Sequence, residues 1–171
     1  MLIILFRHGP AGSADPLRWP DDAARPLTPK GEERTRAAAL GVRRLLGHPI
    51  TVVLTSPLVR ADSTAKILAS ATDCKKHATL EALAPGGSFR KTLAALAEYR
   101  DSDIVALVGH EPDLGKLAGV LVFGAPSALP LKKAGACAIV CEGEPQPGAG
   151  VLKWLAPPKL LRRLGRKKAH A

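Results

Sequence analysis

Aromatic residues are few: two Trp, one Tyr and three Phe in 171 residues. With no clustered aromatic platform, nucleic acid is disfavoured as the main ligand, because single strands are held by stacking as well as by charge. Cysteine is scarce as well. Cys74, Cys137 and Cys141 are odd in number and lack CxxC spacing, which argues against a disulfide framework and against a thiolate metal cluster. A reducing cytoplasm is the expected home. Long hydrophobic runs are missing, since Leu117–Phe123 falls well short of the roughly 18 residues that span a bilayer. The opening run Leu2–Phe6 is too short for a signal-peptide core, has no cationic segment before it and meets Arg7 and His8 at once. No membrane span and no secretion are expected.

Acidic residues are in deficit, 15 Asp+Glu against 25 Lys+Arg, for a formal net charge of +10. From Val151 onward there are seven basic residues and no acidic one, so most of the excess lies at that end. Lys159–Lys168 reads as a solvated basic tail or as a contact for an acidic partner, membrane phosphates or nucleic acid. A hydrophobic content of 46% is too high for a disordered chain. At this length a domain buries roughly 70% of its unfolded surface without staples. We expect one domain over residues 1–156 and a basic C-terminal tail over 157–171. The oligomeric state is open.

Short apolar runs alternate with longer periodic segments, the pattern of an α/β protein with helices on both faces of a sheet. Strands are predicted at Leu2–Phe6, Thr51–Thr55, Lys76–Leu80 and Ile104–Val108, then a hairpin at Ala136–Cys141 and Gly150–Trp154. Gly9–Arg25 is too polar and too punctuated for a regular element. Thr28-Pro29 caps and opens a helix to about Leu46, with Ala37, Ala38, Leu40 and Leu45 as its apolar stripe. Further helices are predicted from Ser56-Pro57 to about Ala71, from Ser88 to Tyr99, and from Glu111-Pro112-Asp113 to about Val122.

Three of these strands end in polar or cationic residues where a helix begins: Arg7-His8-Gly9, Ser56-Pro57 with Arg60 beyond, and Gly109-His110. Ligands of open α/β sheets bind outside the carboxyl ends of the strands. Two Arg and two His thus converge on one crevice, beside helix N-termini that favour anions. Arginine forks suit a tetrahedral oxyanion, and cationic neighbours keep an imidazole neutral and nucleophilic near pH 7. His48, His77 and His170 read instead as ordinary surface or core histidines. No carboxylate or Cys stands at ligand spacing to either His8 or His110, so no metal is expected.

Phe6-Arg7-His8-Gly9 resembles the Arg-His-Gly signature of the histidine phosphatase (phosphoglycerate mutase-like) superfamily. More narrowly, Arg25-Pro26-Leu27-Thr28-Pro29-Lys30-Gly31, Ser56-Pro57-Leu58-Val59-Arg60-Ala61 with Thr64, and Val108-Gly109-His110-Glu111-Pro112-Asp113-Leu114 resemble the SixA-type phosphohistidine phosphatases. The likeness runs from about Met1 to Trp154. It implies a three-layer α/β/α sandwich with a mostly parallel central sheet. It also implies that His8 is a nucleophile forming a covalent phosphohistidine, with Arg7, Arg60 and His110 holding the phosphoryl oxygens and no metal or other cofactor. Arg25 is implied as a further phosphate contact; as a plain loop residue it would pair with Asp21 or Asp22.

In mutase-like relatives a Glu protonates the leaving oxygen, and Glu81 is the best positional match, with Glu111 and Asp113 as alternatives. An imidazole leaving group can carry its proton on the distal nitrogen, whereas an alkoxide needs one supplied. Pro10-Ala11-Gly12 also departs from the Glu/Asp-x-x-x-Asn continuation common in mutases, and little chain is available for a lid between Ser70 and Gly87. An open mouth suits a phosphate displayed on another protein. The expected function is therefore a metal-independent phosphatase acting on phosphohistidine in a histidine phosphotransfer domain or phosphocarrier. The alternatives are a general small-molecule phosphomonoesterase and, in another class, a non-catalytic phosphate- or polyanion-binding module.

Overall fold

The structure is a computed structural model, and it describes residues 1–166. Strands β1 (Leu2–Arg7), β2 (Val52–Thr55), β3 (His77–Thr79), β4 (Ile104–Gly109), β5 (Ala136–Cys141) and β6 (Gly150–Ala156) form one sheet in the order β3-β2-β4-β1-β5-β6. The first four run parallel, β5 pairs antiparallel with β1 and β6 antiparallel with β5, so the sheet is mostly parallel. Helices are α1 (Pro29–Leu46), α2 (Val59–Ala71), α3 (Phe89–Leu96), α4 (Asp113–Phe123) and α5 (Pro158–Arg166).

Strand side chains alternate between faces, and the two faces carry separate cores. Ile4, Phe6, Val53, Ala106 and Val108 pack with Ala38, Val42, Ala65, Leu68 and Leu161 of α1, α2 and α5. Ile3, Leu5, Leu54, Val105 and Leu107 pack with Leu96, Leu114, Leu117 and Leu121 of α3 and α4. This is the expected three-layer sandwich. Among the described residues no helix is long and apolar enough to cross a membrane.

Thr28 caps α1 as expected, its hydroxyl accepting from Gly31 N at 3.0 Å. The buried stripe of α1 is displaced from the predicted one. Leu40 and Leu45 lie outside, 38% and 40% exposed, while Ala38, Ala39, Gly41 and Val42 face inward. The reason is α5: a Cβ on Gly41 would stand 2.1 Å from the Leu161 carbonyl oxygen, so only small residues admit the second helix. Helix α2 starts at Val59, not at Ser56-Pro57: the Ser56 hydroxyl accepts from Leu58 N at 3.3 Å and meets His110, and Leu58, at the cap position, has no side-chain cap bond.

The C-terminal segment also differs from a solvated tail. Over Pro158–Arg166 it is a helix with Leu161 fully buried in the α1–α2 core, and Arg44 donates to the Leu164 carbonyl. Within the basic run Leu161 supplies the apolar contact that composition alone obscures, while Leu160 stays exposed. Residues 167–171, with Lys167, Lys168 and His170, lie outside the described residues.

Candidate active site

The carboxyl ends of β1, β2 and β4 lie side by side. Arg7 is in register with Gly109, and His8 N donates to Gly109 O at 3.0 Å, so the ends of β1 and β4 stay joined. This places the His8 and His110 rings 5.0 Å apart, centroid to centroid, tilted by 52°. Both are buried, at 5% and 4% exposure. Gly9 lets the chain leave β1 tightly, since a Cβ there would meet the Thr35 hydroxyl at 2.0 Å.

His8 Nδ1 lies 2.7 Å from the carbonyl oxygen of Gly9. A carbonyl only accepts, so Nδ1 carries the proton and Nε2 keeps its lone pair. Burial chiefly, then His110, Arg60 and Arg7, lower the His8 pKa to about 3, against the raising effect of the Gly9 bond. His110 Nε2 is 2.8 Å from Ser56 Oγ. Its pKa is pushed down to about 4, mainly by burial and then by Arg60 and Arg7, while Asp113 and Asp22 oppose. Both imidazoles are neutral at pH 7.

The two guanidiniums are held by one edge. Arg7 Nη1 donates to Leu131 O at 2.8 Å, and Arg60 gives Nη1 to Asp22 O at 2.7 Å and Nη2 to Asp22 Oδ2 at 2.9 Å. Nε of both is buried without a partner. An unmet cationic donor is an expensive thing to bury unless an anion is to meet it. Arg25 sits beside this group with Nε on Asp22 Oδ1 at 2.8 Å and Nη1 on Gly12 O at 2.6 Å, the pairing its loop position allowed.

The structure thus brings Arg7, His8, Arg60 and His110 together and places Arg25 beside them. Glu81 is different: it is exposed, in the 3-10 turn Glu81–Leu83, and forms no ion pair within 4.0 Å among the described residues. Of the alternatives, Asp113 accepts from Gly86 N at 2.8 Å and Glu111 accepts from Leu131 N at 2.9 Å, so both pin loops.

The sequence named Ser56 and Thr64 only as motif residues and Asp22 only as a loop partner of Arg25, and it gave no sign of Lys133. Ser56 holds His110, and Asp22 holds Arg60 as well as Arg25. Thr64 Oγ1 accepts from Gly9 N at 3.0 Å and donates to Arg60 O at 2.7 Å. Lys133 stands at the exposed rim, its pKa lowered by burial and then by Arg7, Arg25 and Arg60. Its place follows from Ala134 N, which donates to both Arg7 O and His8 O at 3.1 Å. A spacing of three between Asp22 and Arg25 was the one signal available for Asp22; Lys133 had none.

Paired strand-end histidines with buried guanidiniums, on a three-layer sandwich, are the phosphoglycerate mutase-like architecture. The family model of the histidine phosphatase superfamily (branch 1) matches residues 3–111, and the chain belongs to that superfamily. An uncharacterized protein of Picosynechococcus sp. is 44% identical over 139 residues, 79% of this chain and 82% of that one. The protein histidine phosphatase SixA complexed with tungstate has the same fold, with a TM-score of 0.78 at 24% identity over 94% of this chain and 99% of that one. A candidate phosphohistidine phosphatase SixA from Nakamurella multipartitia gives a TM-score of 0.68 at 26% identity, covering 92% and 95% of the two chains. A mycobacterial glucosyl-3-phosphoglycerate phosphatase complexed with VO3 gives 0.66 at 16% identity, covering 91% and 99%.

Proposed function

We propose that the protein is a metal-independent phosphatase that removes phosphate from phosphohistidine on another protein, a histidine phosphotransfer domain or phosphocarrier, through a covalent intermediate on His8. The observation that carries this reading is the His8–Gly9 hydrogen bond, which leaves Nε2 of a buried, neutral imidazole free beside the unpartnered Nε atoms of Arg7 and Arg60.

In the first half-reaction His8 Nε2 attacks phosphorus, and the bond from phosphorus to the substrate nitrogen breaks. The leaving imidazole takes the bonding pair and keeps its proton on the distal nitrogen. As the new bond forms, positive charge grows on the His8 ring, and the Gly9 carbonyl accepting from Nδ1–H stabilises it. Arg7 and Arg60 supply fixed positive charge to the equatorial oxygens, as positioned donors do in phosphoryl transfer. In the second half-reaction water attacks phosphorus, the pair returns to Nε2, and the water proton leaves on inorganic phosphate. Neither step requires a carboxylic acid, which fits the exposed place of Glu81.

The mouth supports a protein-borne substrate. The connection from β3 through the Glu81–Leu83 turn to α3 is short, and Asp113 ties it down at Gly86. Cys74, Cys137 and Cys141 are all free, which supports a reducing, cytoplasmic setting.

The test is phosphate release, with EDTA present, from a phosphohistidine-bearing protein and from an aryl phosphate, using wild type and His8→Ala. Preference for the phosphoprotein, lost in the variant, is expected. Activity confined to the ester would replace this reading by the phosphomonoesterase one, and binding without turnover would leave the non-catalytic module.

A further inference from the structure

Asp22 lies outside the set of residues to which the phosphatase reading gives a task, yet it is the centre of the cationic site. Its carboxylate takes Nη2 of Arg60 at 2.9 Å with one oxygen and Nε of Arg25 at 2.8 Å with the other. The Arg60 and Arg25 side chains are only 6% and 11% exposed, whereas that of Asp22 is 52% exposed. The acid therefore sits on the solvent side of two sunken guanidiniums, in the manner of a bound oxyanion. Independently of the carboxylate, the backbone oxygen of Asp22 accepts from Arg60 Nη1 at 2.7 Å.

We propose that Asp22 is a positioning residue that competes with phosphate for Arg60 and Arg25, holding both between turnovers and weakening the grip on inorganic phosphate so that product leaves. This rests on the phosphatase reading of the same site.

The argument is one of charge. Arg7, Arg25, Arg60 and Lys133 surround the crevice, and each acts on at least one of the others or on the histidines. Left alone, such a cluster would retain a dianion and slow every cycle, because binding that is equally tight for product and transition state gives no gain in turnover. A fixed carboxylate on the Arg60 fork repels an arriving or departing phosphate at short range. The Arg25 bond chiefly, and then Arg60, keep the Asp22 carboxyl ionised below its ordinary range. The competitor is thus present at any pH at which phosphate is a dianion.

Asp22→Asn separates this role from loop anchoring. The substitution deletes the charge, keeps a side-chain acceptor for one of the guanidiniums, and leaves the backbone bond to Arg60. If Asp22 competes with phosphate, the variant binds inorganic phosphate more tightly; if it only anchors the loop, binding is unchanged or weaker. Calorimetric titration of wild type, Asp22→Asn and Asp22→Ser with inorganic phosphate is expected to show at least a tenfold lower Kd in both variants, alongside slower turnover. Asp21→Asn, whose acceptor for Ala23 N persists, is expected to match wild type. The gain should vanish in an Arg60→Ala background. Phosphate binding unchanged or weakened in both Asp22 variants, with wild type active and binding phosphate, overturns the inference. A wild type that neither binds phosphate nor hydrolyses either substrate overturns the phosphatase reading as well.

Discussion

Thr64 Oγ1 accepts the backbone N–H of Gly9 at 3.0 Å, joining the turn that carries His8 to the helix that carries Arg60. The same hydroxyl donates to Arg60 O at 2.7 Å and is fully buried. Thr64→Val keeps the shape and strands a buried N–H, so it is expected to destabilise the fold by about 1–3 kcal/mol. A urea denaturation curve measures this. Thr64→Ser, which keeps the hydroxyl, should recover most of the loss and of the turnover.

The proposed nucleophile, His8, and its proposed cationic support, Arg60, separate kinetically. His8→Ala is expected to abolish the acid-labile phosphoenzyme trapped from labelled substrate. Arg60→Ala is expected to lower kcat/KM by about 2–4 kcal/mol of transition-state stabilisation, a range typical of one lost oxyanion donor. Turnover surviving in His8→Ala would remove the covalent mechanism.

Protonation gives a sign as well as a place. His8 and His110, with pKa values lowered to about 3 and about 4, stay neutral in the folded state at pH values where an unfolded histidine, near 6.5, takes up protons. Between pH 6.5 and about 3 the unfolded state binds more protons, so stability falls as the pH falls through that window and is flat with respect to these groups above it. Thermal melts from pH 7.5 to 4 should show the decline, with a shallower slope in His8→Gln. By nuclear magnetic resonance neither ring should titrate between pH 8 and 5.

Glu81→Gln distinguishes substrate classes. Should Glu81 protonate an ester oxygen, its loss removes the roughly 100-fold or larger share typical of a general acid from aryl phosphate cleavage. Dephosphorylation of the phosphohistidine protein is expected to change little, because imidazole leaves without a donated proton. An equal, large loss on both substrates would return Glu81 to the phosphohistidine reaction.

Helix α5 is tested by Leu161→Ala. The side chain is fully buried against α1, so the substitution is expected to cost about 2–5 kcal/mol, a typical buried-leucine truncation, read as a shift in the denaturation midpoint. A change near zero would mean that the basic segment is dispensable to the core.

Much of the fold was legible along the chain. Leu2–Phe6 and Ile104–Val108 are apolar on both faces, as central parallel strands require, and the Thr28-Pro29 cap marks where α1 begins. The inward face of α1 was not legible, because alanines and Gly41 facing α5 carry a weaker apolar signal than the exposed Leu40 and Leu45. Helix α5 was hidden for a related reason: its charge dominates composition, whereas one buried leucine decides its place.

At the site, residue order alone puts the candidate phosphate-handling groups at the strand ends. Arg7-His8-Gly9 and Gly109-His110 each follow a strand too apolar to lie anywhere but the centre of a sheet, and parallel neighbours bring like ends together. Which side chains from other elements meet there depends on the folded arrangement. Asp22, Ser56, Thr64 and Lys133 act through single hydrogen bonds or through charge across space, and neither has a period along the chain. The protonated atom of His8 likewise depends on where the Gly9 carbonyl turns after β1, which residue type alone does not announce.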